Sequence, residues 1–386
     1  MIKKKTPPRG YCKKSLEKRI QWLKESHGID YQYSPLAQEL EDYQGLAENI
    51  VSGINIPISI ASPLLINNGD HIHGNFAVPL ATLEGTLVLS MTRGMYTTAL
   101  SGGIETIYCG QQIARAPVFQ FATLKDARCF AAWVKDHFLL LKEAAEKTTR
   151  FGKLISADAH IIHDNVIIDC VYTTGDAAGQ NMITIATQAL QKTILARTDI
   201  PKPIRHYVES NFSGDKNSAW RNITLGRGHK AIARACINEK ILKRVMHVSK
   251  QEITSAYYVK QDASLLAGVS GSNMHTANAL TAIYLATGQD AACATENSNS
   301  IIRYEITGDD LVVTATLPSL TVGTVGGATR LKQQRHHLDM LGCTGEHSTK
   351  KFCQILAGCV LALEISLGAA VASNEFTEAH KQYGRK

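Results

Sequence analysis

The longest apolar segment of the chain, KKFCQILAGCVLALEISLGAAVASNEF at residues 350–376, constrains the fold most strongly. Its composition predicts one long helix that must be covered on most of its surface, either inside a helical bundle or at an interface between subunits. Glu364 interrupts the apolar run. Because no segment reaches the roughly 18 or more consecutive apolar residues of a membrane span, we expect no membrane partner.

The positive charge of the chain is concentrated at its start. The formal net charge is +7, and the first 19 residues hold eight Lys and Arg against one Glu. This distribution predicts a basic N-terminal arm rather than a nucleic-acid-binding face. No motif of interleaved aromatic and basic residues accompanies it, so we expect no nucleic-acid partner.

The cysteines and the first residues bear on the cellular compartment. The nine cysteines form no CxxC pair, and an odd number gives no disulfide framework. The first residues lack the apolar core of a secretory signal. We therefore expect a cytoplasmic protein with reduced thiols.

The order of the predicted elements indicates an α+β fold with an inserted unit. Residues 119–207 show a strand, an amphipathic helix, two strands joined by HDN and a further helix, which is a small unit of ferredoxin-like character. A basic arm and a short helix occupy residues 1–45. The flanking segments, 46–118 and 208–386, mix helices and strands.

The helices expected in the second half of the chain include two around 238–248 and 275–287. The second of them ends at Gly288, a typical residue after a helix C-terminus. This leaves Asp290 just beyond the helix end.

Two glycine-rich loops are candidates to approach a phosphate group. GDAAGQNM, around Asp176 and Gly179, and TVGGAT, with Gly326 and Gly327, each come before a predicted helix. Each signal is weak alone, because such loops are more often plain turns. Histidine groups such as HIH at 71–73 lack partner ligands at zinc spacings, so we expect no metal site.

A lone carboxylate, Glu84, lies in the otherwise apolar and hydroxyl-bearing segment ATLEGTLVLSMTR. One interpretation is an exposed edge residue, or a first-turn acid favoured by the helix dipole. The other is a buried acid that desolvation keeps protonated and ready to donate a proton. The segment alone favours the first interpretation.

Five segments, in one order between about residues 28 and 382, resemble the motifs of the 3-hydroxy-3-methylglutaryl-CoA reductase family. They are ENIVSGINIPISIASPL, VPLATLEGTLVLSMTRG, TTGDAAGQNM, TAIYLATGQD and LPSLTVGTVGGATRLKQQRHHLDMLG. The resemblance is closer to the eukaryotic and archaeal class I type than to the other bacterial class. Five motifs in one order are far more specific than any one of them.

The resemblance implies a homodimer with its active site at the subunit interface. In each subunit a large substrate-binding and dimerisation domain, 46–118 and 208–386, would carry an inserted ferredoxin-like domain, 119–207, that binds NADPH. The family reaction is the four-electron reduction of an acyl-CoA thioester. One hydride gives a thiohemiacetal that loses the thiol, and a second hydride reduces the aldehyde to an alcohol.

The resemblance also implies catalytic roles. Glu84 matches the family's catalytic glutamate, which favours the buried, protonated acid. Lys216 matches the lysine that stabilises the developing oxyanion, and Asp290 matches the aspartate that links Lys216 to Glu84. His380 matches the C-terminal histidine that protonates the departing thiolate.

Eight residues match the family's dinucleotide site. The basic stretch around 150–153 would suit the 2′-phosphate of NADPH over NADH, and the glycines allow close approach of a backbone. The matching residues are Arg150, Lys153, Asp176, Gly179, Asn181, Met182, Gly326 and Gly327.

The departures from the family motifs fall in the substrate site. Gln120 stands where the family has an arginine, and Asn217 stands where it has a second lysine. In the family both cations hold the distal carboxylate of the acyl group, through charge-assisted hydrogen bonds of about 1.5–3 kcal/mol each. Arg221 is a candidate to replace them. The residues assigned to substrate binding are Arg93, Gln120, Ser210, Asn217, Lys260 and Asn278.

Three functions follow from the resemblance. The leading one is NADPH-dependent reduction of 3-hydroxy-3-methylglutaryl-CoA to mevalonate. The second is reduction of another thioester, on coenzyme A or an acyl-carrier protein, in specialised metabolism; the basic arm would attract either polyanion. The third is a catalytically idle binding protein, which need not keep Glu84, Lys216, Asp290 and His380 together.

Overall fold

The computed structural model of the protein describes residues 7–31, 34–36 and 38–373, which form an α+β fold as expected. Within these residues the strands are β1 (Ile58–Gly69), β2 (Gly74–Ala81), β3 (Ile104–Arg115), β4 (Val118–Gln120), β5 (Lys153–Ile162), β6 (Asn165–Thr173), β7 (Arg205–Tyr207), β8 (Gly228–Asn238), β9 (Ile301–Thr307) and β10 (Asp310–Leu320). The helices are α1 (Lys13–His27), α2 (Leu87–Leu100), α3 (Leu124–Asp136), α4 (Phe138–Glu146), α5 (Gln180–Leu195), α6 (Trp220–Thr224), α7 (Glu239–Ile241), α8 (Lys250–Leu266), α9 (Thr276–Thr287), α10 (Ala294–Asn297), α11 (Lys332–Met340) and α12 (Ser348–Ala372).

The strands form one sheet in which β3 joins two regions. The strand order is β7-β4-β6-β3-β8-β10-β9, with β1 and β2 continuing from β3, and β5 pairing with β6. β3 pairs with β8 between Ile104 and Gln112, and with β6 between Ile113 and Arg115. This strand therefore connects the part of the sheet that contacts α12 with the part formed by β4 to β7.

α12 is the predicted apolar helix, and it begins at Ser348. It is long and apolar enough to cross a membrane by length and composition, but 83% of its most apolar window is buried inside the fold, as in the core helix of a soluble protein. It packs on α2, α8, α9 and the sheet. Gly94 of α2 permits a close approach, since a Cβ atom there would lie 1.8 Å from the carbonyl oxygen of Ala362.

A second hydrophobic core, separate from the one around α12, is formed by residues between Ile113 and Ile200. The expectation of one helix after β4 is wrong, because α3 and α4 meet at His137. The backbone of His137 leaves helical geometry, with φ −115° and ψ 27°. Its ring stacks on Trp133 with centroids 4.5 Å apart, and its Nδ1 lies 2.9 Å from the Trp133 carbonyl oxygen.

The segment after β8 also differs from the expectation of a single helix around 238–248. α7 continues into a π-helical turn over Leu242–Met246, and a separate 17-residue helix, α8, follows. Ser249 caps α8 by accepting the amide hydrogen of Glu252, and the Glu252 side chain accepts the Ser249 amide hydrogen in return. The sequence patterns did not predict α8.

One cation of the basic arm is a buried structural residue. Arg19 of α1 is 1% exposed. Its Nε donates to the carbonyl oxygen of Ile50 at 2.6 Å, and its Nη1 donates to that of Gly10 at 2.9 Å. Arg19 therefore ties α1 to the chain that leads into β1, and is not part of the arm's exposed charge.

Candidate active site

Lys216 and Asp290 form an ion pair beyond the end of α9. Nζ of Lys216 lies 2.9 Å from Oδ2 of Asp290. The left-handed conformation of Gly288, with φ 73°, ends the helix, and Oδ1 of Asp290 then accepts the Ala292 amide hydrogen at 3.0 Å. The hydrogen bond to Asp290 raises the pKa of Lys216 above its ordinary value. Two of the four expected catalytic residues are thus brought together with the lysine charged.

A buried ionic network lies beneath the loop that carries Lys216, and no motif pointed to it. Arg227 and Glu296 are both 0% exposed and pair at 2.9 Å. Nη2 of Arg227 lies 2.9 Å from Oδ1 of Asp215, and Nη1 of Arg115 lies 3.0 Å from its Oδ2. Burial raises the pKa of Asp215, but the guanidinium groups of Arg227 and Arg115 outweigh it, so the pKa is lowered overall.

Glu84 lies in the turn between β2 and α2, where it meets the start of α9. Its Oε1 accepts a hydrogen bond from Nδ2 of Asn278 at 3.0 Å, and the same Nδ2 lies 3.1 Å from Nδ1 of His275. His275 is therefore a further candidate for the site, although no motif predicted it. Its i, i+3 spacing from Asn278 is the sequence signal that places the two side chains on one face of the helix. Glu84 is exposed in the single chain, as are its neighbours Leu83 and Gly85. The expectation of a buried acid is therefore wrong for the chain on its own.

Helix α9 separates these two pairs of residues. Its 12 residues span about 18 Å at the usual rise per residue. Asn278 lies in its first turn, beside Glu84, and Asp290 lies beyond its end, beside Lys216. The expected link from Glu84 to Lys216 through Asp290 is therefore not formed within one chain. His380 lies outside the described residues.

The acidic residue of the apolar helix α12, Glu364, caps the start of α9. It is 0% exposed, and its carboxylate accepts the amide hydrogens of Met274 at 2.9 Å and His275 at 2.8 Å. Burial raises the pKa of Glu364.

Lys260, a substrate candidate, lies nearby. Its Nζ donates to the carbonyl oxygen of Ser272 at 3.0 Å, and burial lowers the pKa of this lysine. The structure thus gives Lys260 a backbone partner.

The glycine-rich loop around Asp176 is anchored to the start of α12. Oδ2 of Asp176 accepts the His347 amide hydrogen at 2.8 Å, and Oδ1 accepts that of Thr349 at 2.9 Å. A carboxylate at this position is favoured by the dipole of the long helix. Asp176 therefore fixes the loop to the core helix.

The same loop is held from its other side by Gln111. Its Oε1 accepts the amide hydrogen of Thr174 at 2.9 Å, and its Nε2 lies 3.1 Å from Nε2 of His229. Burial lowers the pKa of His229 to about 4.

At Gly179, the residue before α5, a Cβ atom would lie 2.3 Å from Cγ2 of Thr174, and φ is 84°. The loop conformation therefore requires glycine there.

The expected 2′-phosphate residues lie next to the start of α5. A Cβ atom on Gly152 would lie 2.9 Å from Sδ of Met182, so the turn after α4 contacts this helix. Arg150 on that turn and Lys153 at the start of β5 are exposed. Nζ of Lys153 lies 3.2 Å from Oε2 of Glu146, which partly offsets its charge.

The other dinucleotide candidates border open space. Asn181, in the first turn of α5, is exposed. A Cβ atom on Gly326 or Gly327 would meet no described atom within 4 Å, and both glycines have positive φ. Within the described ranges, no group of three or more His, Cys, Asp or Glu side chains is arranged to hold a metal ion.

The two positions that depart from the family motifs are hydrogen-bonded within the chain. Nε2 of Gln120 donates to Oδ2 of Asp164 at 3.2 Å. Nδ2 of Asn217 donates to the carbonyl oxygen of Asp215 at 2.7 Å. Neither side chain carries a charge that could replace the family's cations.

Arg221 is committed to a different partner. Its Nη2 lies 2.6 Å from Oδ1 and 2.5 Å from Oδ2 of Asp169 on β6. The two side chains are only 11% and 7% exposed. The expectation that Arg221 replaces the lost cations is therefore wrong.

Two further substrate candidates also have partners in the chain. Nη2 of Arg93 donates to the carbonyl oxygen of Ser366 on α12 at 2.8 Å. Oγ of Ser210 donates to the carbonyl oxygen of Ala116 at 2.8 Å. Arg93 thus joins α2 to α12, and Ser210 fixes the start of the loop that carries Lys216.

Comparison with known proteins gives one consistent result. The family model described as hydroxymethylglutaryl-coenzyme A reductase matches residues 15–385. The 3-hydroxy-3-methylglutaryl-coenzyme A reductase of Pyrococcus horikoshii is 39% identical over 381 residues, which cover 97% of this chain and 90% of the relative. Reductase 2 of Gossypium hirsutum is 34% identical over 97% of this chain, which spans 61% of that longer protein. The NADPH-bound class II reductase of Streptococcus pneumoniae has a similar fold, with a TM-score of 0.69 at 19% identity over 92% of this chain and 96% of that one. The chain belongs to the hydroxymethylglutaryl-CoA reductase family.

Proposed function

We propose that this protein reduces 3-hydroxy-3-methylglutaryl-CoA to mevalonate with two molecules of NADPH. The observation that carries the proposal is the Lys216–Asp290 pair, with Nζ and Oδ2 2.9 Å apart, at the positions where the family motifs place a catalytic lysine and aspartate. Both side chains are nearly half exposed, so a substrate can reach them. An idle binding protein would not need a charged lysine held in this way.

The residues of the chain divide the chemistry between them. Bound NADPH supplies the hydride for each of the two reductions. As negative charge develops on the thioester oxygen, the Lys216 ammonium stabilises it. Asp290 keeps that ammonium charged, consistent with the raised pKa of Lys216. Glu84 donates a proton to the oxygen, and Asn278 orients its carboxyl group through the 3.0 Å hydrogen bond.

The departing thiolate needs a proton of its own. Collapse of the thiohemiacetal returns its hydroxyl proton to the Glu84 carboxylate, breaks the carbon–sulfur bond, and leaves an aldehyde and the thiolate of coenzyme A. We assign the protonation of this thiolate to His380, since imidazole titrates near neutral pH. The aldehyde then accepts the second hydride at the same position, again beside Lys216, and Glu84 protonates the resulting alkoxide to give the alcohol.

We infer that a second copy of the chain completes the site. Glu84 and Asn278 lie at one end of α9, and Lys216 and Asp290 lie at the other, so one chain cannot bring all four to one substrate. The surface around Glu84 is apolar and exposed, with Leu83 79% and Leu89 56% exposed. A homodimer that covers this surface would place Glu84 of one subunit near Lys216 of the other.

We propose that residues 119–207 form the NADPH-binding domain and that 46–118 and 208–386 form the substrate-binding and dimerisation domain. The separate hydrophobic core between Ile113 and Ile200 supports this division. The start of α5, the open space at Gly326 and Gly327, and the exposed Arg150 fit an anionic dinucleotide with a 2′-phosphate. Exposed thiols such as Cys109 and Cys129 favour a reducing compartment, and we propose the cytoplasm.

A second candidate function is favoured by one specific observation. Gln120 and Asn217 are uncharged, and Arg221 is held by Asp169, so these three positions offer no cation to a distal carboxylate. A thioester without that carboxylate, on coenzyme A or a carrier protein, would lose nothing from this arrangement. The matched substrates 3-hydroxy-3-methylglutaryl-CoA and 3-hydroxy-3-methylbutyryl-CoA differ in the distal carboxylate, and comparing their kcat/KM values decides between the two functions.

A further inference from the structure

Lys216 is held at both of its ends by one short segment of chain. Its Nζ pairs with Asp290, and its backbone amide donates to Oε2 of Glu296, six residues further on. Between these two acceptors lie a helical turn, Ala291–Cys293, and the start of α10. The segment 290–296 therefore fixes both the backbone and the ammonium of the lysine.

The backbone of Lys216 needs such support, because its φ is 55°. A residue with a side chain adopts this left-handed conformation only when its surroundings impose it. Glu296 is well placed to impose it, since its carboxylate is 0% exposed and cannot move into solvent.

Glu296 also fixes the residue before Lys216 through Arg227. Oε2 of Glu296 lies 2.9 Å from Nε of Arg227, and Nη2 of Arg227 lies 2.9 Å from Oδ1 of Asp215. Asp215 and Lys216 are thus both attached to one buried carboxylate, the first through a guanidinium group and the second directly. Each charge in this chain of contacts has an opposite charge beside it, as buried ions require.

We propose that Glu296 is a positioning residue for the reduction, which holds Lys216 in the conformation that lets its ammonium meet Asp290 and the substrate oxygen. The proposal rests on the function proposed above. Glu296 makes no contact with substrate, because its carboxylate is buried, unlike the exposed carboxylate of Asp290.

The test is Glu296→Gln in the full-length protein. Glutamine keeps the size of the side chain, but its neutral amide oxygen is a weaker acceptor for the Lys216 amide and Nε of Arg227, which both bond to Oε2 in the wild type. It also leaves Arg227 with one anion fewer. We expect kcat to fall by about 10- to 100-fold, as for a misplacement on the order of 1 Å, with little change in the KM for NADPH. Glu305→Gln on β9, which removes the partner of Arg303, is the matched control and should keep wild-type kcat.

A second readout does not depend on turnover. Trace labelling with acetic anhydride at a series of pH values, with mass spectrometry of the Lys216 peptide, reports the pKa of its amine. In Glu296→Gln the lysine should separate from Asp290, so its raised pKa should fall and its labelling should increase at a given pH. If Glu296→Gln does not fold, Glu296→Asp keeps the charge for Arg227 with a shorter reach, and the same shift is expected.

The outcomes separate the two proposals. If the wild type reduces no thioester, the proposed function fails, while the labelling profile still tests the positioning. If a folded Glu296 variant leaves both kcat and the Lys216 labelling profile unchanged, Glu296 does not position Lys216, and the inference is overturned.

Discussion

Nδ2 of Asn278 donates a hydrogen bond to Oε1 of Glu84 at 3.0 Å, at the opposite end of α9 from the Lys216–Asp290 pair. The family motifs imply a direct link between Glu84 and Asp290. In the structure, Asn278 takes that place within the chain, and the two halves of the proposed site lie at opposite ends of this helix, which is about 18 Å long.

Two inactive variants should therefore restore activity when they are combined. Glu84→Gln and Lys216→Ala remove residues from different halves of the site, so a mixed dimer would contain one intact site. After unfolding and refolding an equal mixture, we expect about a quarter of wild-type activity, from the statistics of random pairing in a two-fold dimer.

The control is a mixture of Lys216→Ala with Asp290→Ala, which remove residues from the same half. That mixture should stay inactive. If both mixtures stay inactive while native mass spectrometry shows mixed dimers, the shared site is excluded.

Replacing Asn278 by alanine should lower kcat more than it raises KM. The variant loses the hydrogen bond that orients the Glu84 carboxyl, and one such bond corresponds to about a tenfold loss of rate. Steady-state kinetics with both substrates varied measure the effect. Gln333→Ala, at an exposed position of α11, is the control and should keep wild-type kinetics. An unchanged kcat in a folded Asn278→Ala variant would exclude the orienting role.

Restoring the family's cations should improve binding of the carboxylated substrate. In the double variant Gln120→Arg, Asn217→Lys, we expect the KM for 3-hydroxy-3-methylglutaryl-CoA to fall by about tenfold or more, since each charge-assisted bond contributes about 1.5–3 kcal/mol. The KM for 3-hydroxy-3-methylbutyryl-CoA, which has no distal carboxylate, should not fall. An unchanged KM for the first substrate would mean that these positions do not face the carboxylate.

His229 should make the folded state less stable in acid. Burial lowers its pKa from 6.5 to about 4, against the opposing effect of Asp176. The unfolded chain therefore binds the proton first, and stability that is fully present above pH 6.5 is lost as the pH falls toward 4. The loss from this residue is about 3 kcal/mol.

Urea unfolding at pH 7 and pH 4.5 measures this effect. In His229→Gln, which does not titrate, the difference between the two pH values should shrink, while His336→Gln on the exposed face of α11 should keep it. A wild-type difference retained in His229→Gln would assign the acid sensitivity to other groups.

The parts of the fold that can be predicted from the sequence are those set by local pattern. α12 is recognisable because an apolar run of that length must be buried, and Gly288 marks the end of α9. α8 escapes prediction because its buried residues, including Ile253 and Thr254, are few and lie near one end. The capping pair Ser249 and Glu252 is the signal that could have located it.

The parts of the site that could not be predicted depend on contacts between distant segments. Arg227 and Glu296 are 69 positions apart, and nothing local marks either as buried. Likewise, Arg221 is available in the sequence, but the fold brings Asp169 of β6 against it. The motifs identify which residues carry the chemistry, whereas the residues that hold them in place are set by tertiary packing.

The proposed reduction is tested most directly by following NADPH absorbance with purified protein and 3-hydroxy-3-methylglutaryl-CoA, beside Lys216→Ala. We expect the wild type to consume two NADPH for each mevalonate formed, and the variant, although folded, to consume none. Absence of turnover by a folded wild-type protein that binds NADPH would contradict the proposed substrate.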